Sequence, residues 1–331
     1  MSTVTLALAG DTMLGRAVAN TLEHAGPGVL FSDEVVEAAS AADLFVLNLE
    51  CCISERGEPW PAPGKPFFFR APPVATEVLV ALGVDCVSLA NNHALDFGEQ
   101  ALLDTFEHLE RAGIAWAGAG PDVERARAPA VFESDGFRLA VLAVTDHPED
   151  FAATPDRPGV AFADLPHGIP AWLRDAVRSA ADRSDAVLVT AHWGPNMTSR
   201  PVPHVRRAAK ALRDAGAALV AGHSAHVFHG IADGVLFDLG DFVDDYLVDP
   251  VLRNDLGLLF FVGIDERAPV RLEALPLKLD YCHTRVAHGE EAAWIGRRFR
   301  EACVAMGTEA REENGRLVAD LRPSEPRGET C

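Results

Sequence analysis

Short, uniformly apolar runs recur along this chain, and five of them stop at a polar cluster. Residues 4–9 run into Gly10-Asp11-Thr12-Met13, residues 44–49 into Glu50, and residues 84–90 into Asn91-Asn92-His93. Residues 186–191 end at His192-Trp193-Gly194, and residues 217–221 at Gly222-His223-Ser224-Ala225-His226. Runs this short with no polar alternation read as strands buried on both faces. Between them the apolar period changes. Leu102, Leu103, Phe106 and Leu109 recur at helical spacing within residues 97–112, and Gly113 follows as a C-terminal stop. Helices are also read over residues 73–82, 170–181, 205–215 and 290–305, and Ser32-Asp33-Glu34 has helix-start chemistry. Asp135-Gly136 predicts a hairpin over residues 131–144, and Asp233-Gly234 another over 231–241. Residues 258–264 and 270–279 read as late strands.

The first half alternates strand and helix, and the middle and end add antiparallel hairpins. That mixture predicts an α/β fold with two packed mixed sheets and helices outside. Open α/β sheets gather ligands at the carboxyl ends of their strands, so the five clusters are expected to share one edge.

Carboxylate, amide and imidazole groups hold divalent metals, which makes the clusters at Asp11, Glu50, Asn91-Asn92-His93, His192 and His223/His226 candidates for metal ligation. Each type also has an ordinary use. An Asp after a Gly caps a turn or helix, paired Asn residues make turns, and a lone His packs in a core. The convergence of five clusters favours the metal. Asp96, three residues beyond His93, suits orientation of that imidazole through a ring N–H; capping the next helix is the alternative. Asp146-His147 and Asp241 also follow strands and are weaker candidates for supporting the same face. Lys65 and Arg70, around an aromatic run, and Trp193 and Asn196 suit a peptide-binding lip, with core packing the alternative for the Phe residues. His229 is expected to point away, and His24, His108, His204 and His288 to lie on the surface.

The order Asp, Glu, Asn-His, His, His-x-x-His is also that of a known family. Over residues 3–280 the chain resembles the CapA family, named for poly-γ-glutamate capsule proteins, most strongly at residues 88–98 and 222–227. The resemblance implies a four-layer calcineurin-like metallophosphoesterase fold. It puts Asp11 on one metal, Glu50 between two, and Asn92 and two histidines, His192 and His223, on the second; His226 returns to the first. It sets His93 beside the metals as an acid/base or anion-binding group. Two positions depart from phosphoesterases of this fold. Met13 stands where a His ligand is usual, and Glu50 where the bridging residue is usually Asp. The site is thereby richer in oxygen, which tilts one or two bound ions from zinc toward manganese, magnesium or calcium.

Composition narrows the setting. At 331 residues the length fits two domains of about 150, but no linker or repeat divides the chain. The expectation is one domain over residues 1–307 and a flexible tail over 308–331. The first ten residues lack a signal-peptide pattern, and no run reaches about 18 apolar residues, so no membrane partner is expected. Six cysteines without metal-knuckle spacing read as reduced thiols of a cytoplasmic protein. A net charge of −20 makes nucleic acid an improbable partner and disfavours polyanions, although salt screens surface charge beyond roughly 8 Å.

Three functions fit these residues: metal-assisted hydrolysis of a phosphate or amide, reversible Cα proton transfer in a peptide, and a non-catalytic role in polymer assembly. The second resembles the soluble CapA-like peptide epimerases of lasso-peptide biosynthesis. It is the favoured expectation, because the first-motif His is missing, no anchor is read, and imidazole–carboxylate pairs suit proton transfer near neutral pH. The expected catalytic groups are His93, Asp11, His192, His226 and Asp96.

Overall fold

The computed structural model describes residues 3–61, 63–134, 136–265 and 268–321. The larger sheet is built around the strand Val4–Thr12. That strand pairs in parallel with Leu44–Leu49 and, at its end, with Asp241–Val243; its first half pairs antiparallel with Leu256–Asp265. Beyond Leu44–Leu49 the sheet continues in parallel through Cys86–Ser88 to Ala115–Ala117. Beyond Leu256–Asp265 it continues antiparallel through Ala268–Asp280 to Arg316–Asp320 and Arg311–Glu313. The second sheet has Phe137–Thr145, Ala186–His192 and Leu219–His223 in parallel at its centre. Ala130–Ser134 and the Ile231–Ala232/Val235–Leu236 ribbon form its edges.

The layers follow from the two faces of each strand. Leu6 and Leu8 join Val141, Leu188, Leu258 and Phe260 in the core between the sheets. Ala7 and Ala9, on the other face, join Val18, Val35, Leu79 and Leu102 from four helices. The second sheet turns Leu142, Val187 and Val189 outward against Leu173 and Val177 of helix Ala171–Ala181 and Leu212 of helix Pro203–Ala215. Both faces of the central strands are buried, which is why their sequences show no polar alternation. Helix, sheet, sheet and helix give the expected four-layer mixed α/β architecture. Among the described residues no helix is long and apolar enough to cross a membrane.

One glycine decides how closely the site strands approach. A Cβ on Gly10 would lie 1.7 Å from the Gly240 carbonyl oxygen. Without it, the Asp11 N–H donates to that oxygen at 2.9 Å and Asp241 comes level with Asp11.

Three expectations change. The hairpin expected over residues 231–241 is only Ile231–Ala232 with Val235–Leu236, and Asp241–Val243 crosses to the larger sheet. Helix Arg16–Ala25 has no counterpart in the sequence reading; it buries Val18, Ala19 and Leu22. The tail expected from residue 308 instead contributes Arg311–Glu313 and Arg316–Asp320, whose Leu317, Val318 and Ala319 are buried. Three apolar residues are too few to show a period, and their pairing partner lies far upstream at Arg271–Ala274. Residues 322–331 lie outside the described residues.

Leu317→Ala is expected to destabilise the protein by about 2–5 kcal/mol, the usual cost of emptying a packed leucine site. Denaturant unfolding measures it. A loss under about 0.5 kcal/mol would contradict the integration of this hairpin into the core.

Candidate metal centre

Strand ends bring the predicted residues together. Asp11 is level with Asn48 on one side and Asp241 on the other, and His192 with His223. Glu50 follows directly after Leu49, its N–H donating to the Thr12 carbonyl at 3.1 Å. Asp11 Oδ1 lies 3.4 Å from His223 Nδ1 and 4.0 Å from His192 Nδ1, and Asp11 Oδ2 lies 3.4 Å from His226 Nδ1. Glu50 Oε1 is 3.8 Å from Nε2 of both His192 and His93. Two overlapping groups have ligand atoms within 4.8 Å of one another: Asp11, Glu50 and His192, and Asp11, His226 and Asp241.

Backbone strain sets the histidine loop. Ser224 and His226 have φ values of 103° and 58°, a region non-glycine residues rarely adopt. Asp238 holds this loop: its carboxylate accepts from the Ala225 and Gly240 N–H groups, each at 2.9 Å. Asp11 is itself oriented by Asn48 Nδ2 at 2.7 Å and the Ser224 N–H at 3.2 Å. Asn91 donates to Asn48 and to the Leu49 carbonyl, tying the Asn-Asn-His loop to the Glu50 strand.

Several buried polar atoms here have no hydrogen-bond partner: both Glu50 carboxylate oxygens, Asn92 Oδ1, His223 Nδ1 and Asp241 Oδ2. Each orphan costs about 1–3 kcal/mol unless something satisfies it. All are donor atoms for a divalent ion, so the residues present fit a metal. Asp241, expected only in support, belongs to a ligand group itself, beside Asp11 on the neighbouring strand. Met13 is buried in the apolar core and brings no donor. Burial pushes the Cys51 thiol, next to Glu50, up to about 12, and the side chain packs in the apolar core.

The electrostatics express crowding. Burial, then the charge of Asp11, pushes the Glu50 carboxyl well above the carboxylate range. Burial and Asp244 do the same to Asp241, while burial lifts Asp238 to about 8 and Asp244 to about 6. Burial also opposes ionisation of Asp11, but the nearby His223, His192 and His226 outweigh it and hold that carboxyl below its ordinary range. Burial depresses His192 strongly and keeps it neutral.

His93 stands at the edge of this group. Its Nδ1 lies 2.5 Å from Asp96 Oδ2, which also accepts from the Phe69 N–H at 2.7 Å. Burial lowers its pKa although Asp96 works in the other direction. Lys65, expected at a substrate lip, instead bonds Asp96 Oδ1 at 2.7 Å and the Asn92 carbonyl at 2.6 Å, locking the loop. Arg70 donates to the carbonyls of Arg56 and Gly57 and stacks on Phe97, so it braces a loop away from the ligands. Trp193 is core, its indole N–H donating to the Phe237 carbonyl at 3.1 Å. Of the four lip residues only Asn196 reaches the centre, with Nδ2 3.2 Å from His226 Nε2.

A second imidazole–carboxylate group lies across His192. His147 Nδ1 bonds Asp146 Oδ1, and the His147 ring centroid is 5.3 Å from that of His192. His204, expected on the surface, is 3.2 Å from Asp146 Oδ2. His229 bonds the Thr198 carbonyl, away from the ligands. Asp238 and His204 escape sequence reasoning, and Asn48 is seen there only as part of the polar end of the Glu50 strand. Asn48 carries a findable signal, since it stands two residues before Glu50 at the same strand end; the other two act through loop contacts that leave no spacing signal.

The raised carboxyls set a pH dependence for the metal-free protein. Burial depresses His93, His192 and His229, so their contribution to the slope fades above the ordinary histidine range, where the carboxyls dominate. Asp238 rises from an ordinary 3.8 to about 8 on folding, so its contribution is present at low pH and lost as pH rises through about 8. Thermal melts in chelator are expected to show lower stability at about pH 9 than at about pH 7.5. Added Mn²⁺ should raise the melting temperature most at the higher pH, where carboxylates are ionised. A metal-free melting temperature that climbs across this interval would contradict the crowding described here.

Comparison with known proteins establishes the family. The family model described as "Bacterial capsule synthesis protein PGA_cap" matches residues 5–246. A "Probable polyglutamine synthesis accessory protein" of Mycobacterium tuberculosis is 31% identical, covering 88% of this chain and 89% of its own. "PGA biosynthesis protein CapA" of Bacillus subtilis is 29% identical over 71% of this chain and 62% of its own length. Among solved structures, a hypothetical protein from Thermus thermophilus shares 15% identity with a TM-score of 0.49, covering 84% of this chain and 100% of that one. Haemophilus influenzae NAD nucleotidase shares 10% identity with a TM-score of 0.40, covering 87% of this chain and 49% of that one. Those scores are too low to bear on chemistry. The sequence matches are not: the chain belongs to the bacterial capsule synthesis protein family, PGA_cap.

Proposed function

We propose that this chain is a divalent-metal-dependent hydrolase serving polyglutamate-type polymer synthesis, acting on an amide bond in a glutamate-rich chain. The observation that carries the reading is the set of buried, unpartnered donor atoms on Glu50, Asn92, His223 and Asp241 beside the His93–Asp96 pair. The substrate class follows the names of the relatives, which concern polyglutamine and PGA synthesis, and of the family, which concerns capsule synthesis. None of those relatives is named as an epimerase, and the polymer reading accounts for the family better than the lasso-peptide one.

Asp11, Glu50, Asn92, His192, His223 and His226, with Asp241, would hold the ion or ions; their oxygen content favours manganese, magnesium or calcium over zinc. A divalent ion supplies Lewis acidity toward a carbonyl oxygen and acidifies water. The chain's own residues manage the protons. Burial keeps the His93 imidazole neutral, and its Nδ1–H donates to Asp96, which leaves the Nε2 lone pair facing Glu50. His93 Nε2 accepts the proton of the attacking water and returns it to the leaving amine. Asp96 stabilises the imidazolium that forms, and Lys65 fixes Asp96.

A second reading is the Cα epimerisation expected from sequence. Two-base proton transfer needs acid/base groups on opposite faces of the substrate, and the separate His147–Asp146 pair beyond His192 favours it. A γ-glutamyl oligomer incubated with the manganese-loaded protein separates the two. In heavy-oxygen water, hydrolysis yields shorter acids with one heavy oxygen in the new carboxylate. In heavy water, epimerisation leaves the length unchanged and adds deuterium at Cα. Hydrolysis is the expected result. His93→Asn is expected to lower the rate by about 10²–10⁴-fold while the metal-induced thermal gain persists. Deuterium at Cα in an uncleaved chain would replace the hydrolase with the epimerase, and an inert oligomer would leave a non-catalytic accessory.

A further inference from the structure

Arg16 stands against the wall of the centre with hydrogen-bonding capacity unused. Its Nε bonds Asp245 Oδ2 at 3.2 Å, while its Nη1 is buried without a partner. Its Cζ lies 4.7 Å from the Phe67 ring centroid, 5.4 Å from Phe69 and 5.9 Å from Tyr246. Two of these rings touch the centre from the other side. Phe69 meets the His93 ring at 4.5 Å, and Tyr246 meets the His226 ring at 5.2 Å. A single layer of aromatic rings therefore separates Arg16 from the two histidines.

This placement is held under strain. Arg16 has φ 54°, in the left-handed region, and follows Gly15, where a Cβ would lie 2.8 Å from the Phe69 Cα. The corner is pressed onto the Phe69–Arg70 backbone, which aims the Arg16 side chain across the rings. Such a conformation persists only where the surrounding structure holds it. On its outer side Arg16 borders a cleft of about 450 Å³ that Asn20, Ser54 and Arg70 also line, with the exposed Glu23 and Glu55 among its walls.

We propose that Arg16 is the carboxylate anchor of the substrate site: its guanidinium takes a side-chain carboxylate of the chain while the neighbouring amide lies across the Phe69–Tyr246 wall at the metal centre. This rests on the reading of the centre as a hydrolase of glutamate-rich chains and names how such a chain is recognised. A guanidinium offers a planar fork matched to a carboxylate, and aromatic walls lower the local dielectric around it. Asp245 uses one edge of the fork and leaves the other. The anchor also explains how a chain with 49 acidic residues against 29 basic admits an acidic substrate. Bulk surface charge is screened by salt, whereas a guanidinium packed among rings and only partly exposed is screened less.

The test is calorimetric binding of N-acetyl-γ-glutamylglutamate and of its fully amidated form, with manganese and in chelator. Wild type should prefer the acid by about tenfold or more, as expected for a charge-assisted hydrogen bond. Arg16→Gln should remove that preference without changing affinity for the amide. Arg16→Lys, which keeps charge but not the fork, should retain only part of it, and both variants should keep the metal-induced thermal gain. Equal binding of acid and amide by wild type would overturn the proposal even if Arg16→Gln failed to fold, and so would an unchanged preference in Arg16→Lys and Arg16→Gln. A preference that depends on Arg16 in a protein with no hydrolytic activity would sink the hydrolase and leave the anchor. Hydrolysis with no preference for the acid would do the reverse.

Discussion

The controlling constraint is the burial of like charge. Asp11, Glu50, Asp238, Asp241 and Asp244 are all nearly inaccessible to water and share one neighbourhood. An isolated carboxylate in such a place is far too costly to keep ionised, so it must gain a proton, a hydrogen-bonded partner or a cation. Asp238 combines the first two, a carboxyl lifted to about 8 and two backbone N–H donors, while Asp11 takes the second through Asn48 and the Ser224 N–H. Glu50 and Asp241 retain oxygens that nothing in the chain satisfies. A bound divalent ion would resolve the whole arrangement at once.

The scaffold exists to hold that arrangement still. Apolar strands, buried on both faces, end together, and their register puts Asp11 between Asn48 and Asp241 and His192 beside His223. The absence of a side chain at Gly10 lets the Asp241 strand close on the Asp11 strand. A two-layer core therefore fixes ligand positions that loops alone would not, and the strained Ser224 and His226 backbone completes the set. The interfaces that stabilise the fold and the edge that carries the chemistry are formed by opposite features of the same strands: uniform apolarity along their length and polarity at their tips.

Much of this is legible in the sequence because strand-end polarity is a local signal. Asp11, Glu50, His192, His223 and His226 stand out where apolar runs stop, and Asp96 stands out by its spacing to His93. What sequence reading misses depends on contacts between distant segments. Lys65 looks like a substrate contact, yet Asp96 and the Asn92 carbonyl claim its ammonium. Trp193 looks like a lip, yet its indole has a partner at Phe237 in the core. Asp241 looks secondary because the departure of its strand for the other sheet carries no local mark. The Arg316–Asp320 strand reads as tail because its apolar stretch is short and its partner remote.

The most direct test of a metal centre is anomalous scattering from crystals grown with Mn²⁺. The account predicts at least one manganese peak about 2.0–2.6 Å from a carboxylate oxygen of Asp11 or Glu50 and from a ring nitrogen of His192, His223 or His226. Crystals saturated with Mn²⁺ in which these groups bind no ion, and in which Glu50 and Asp241 pair with protons or water instead, would contradict it.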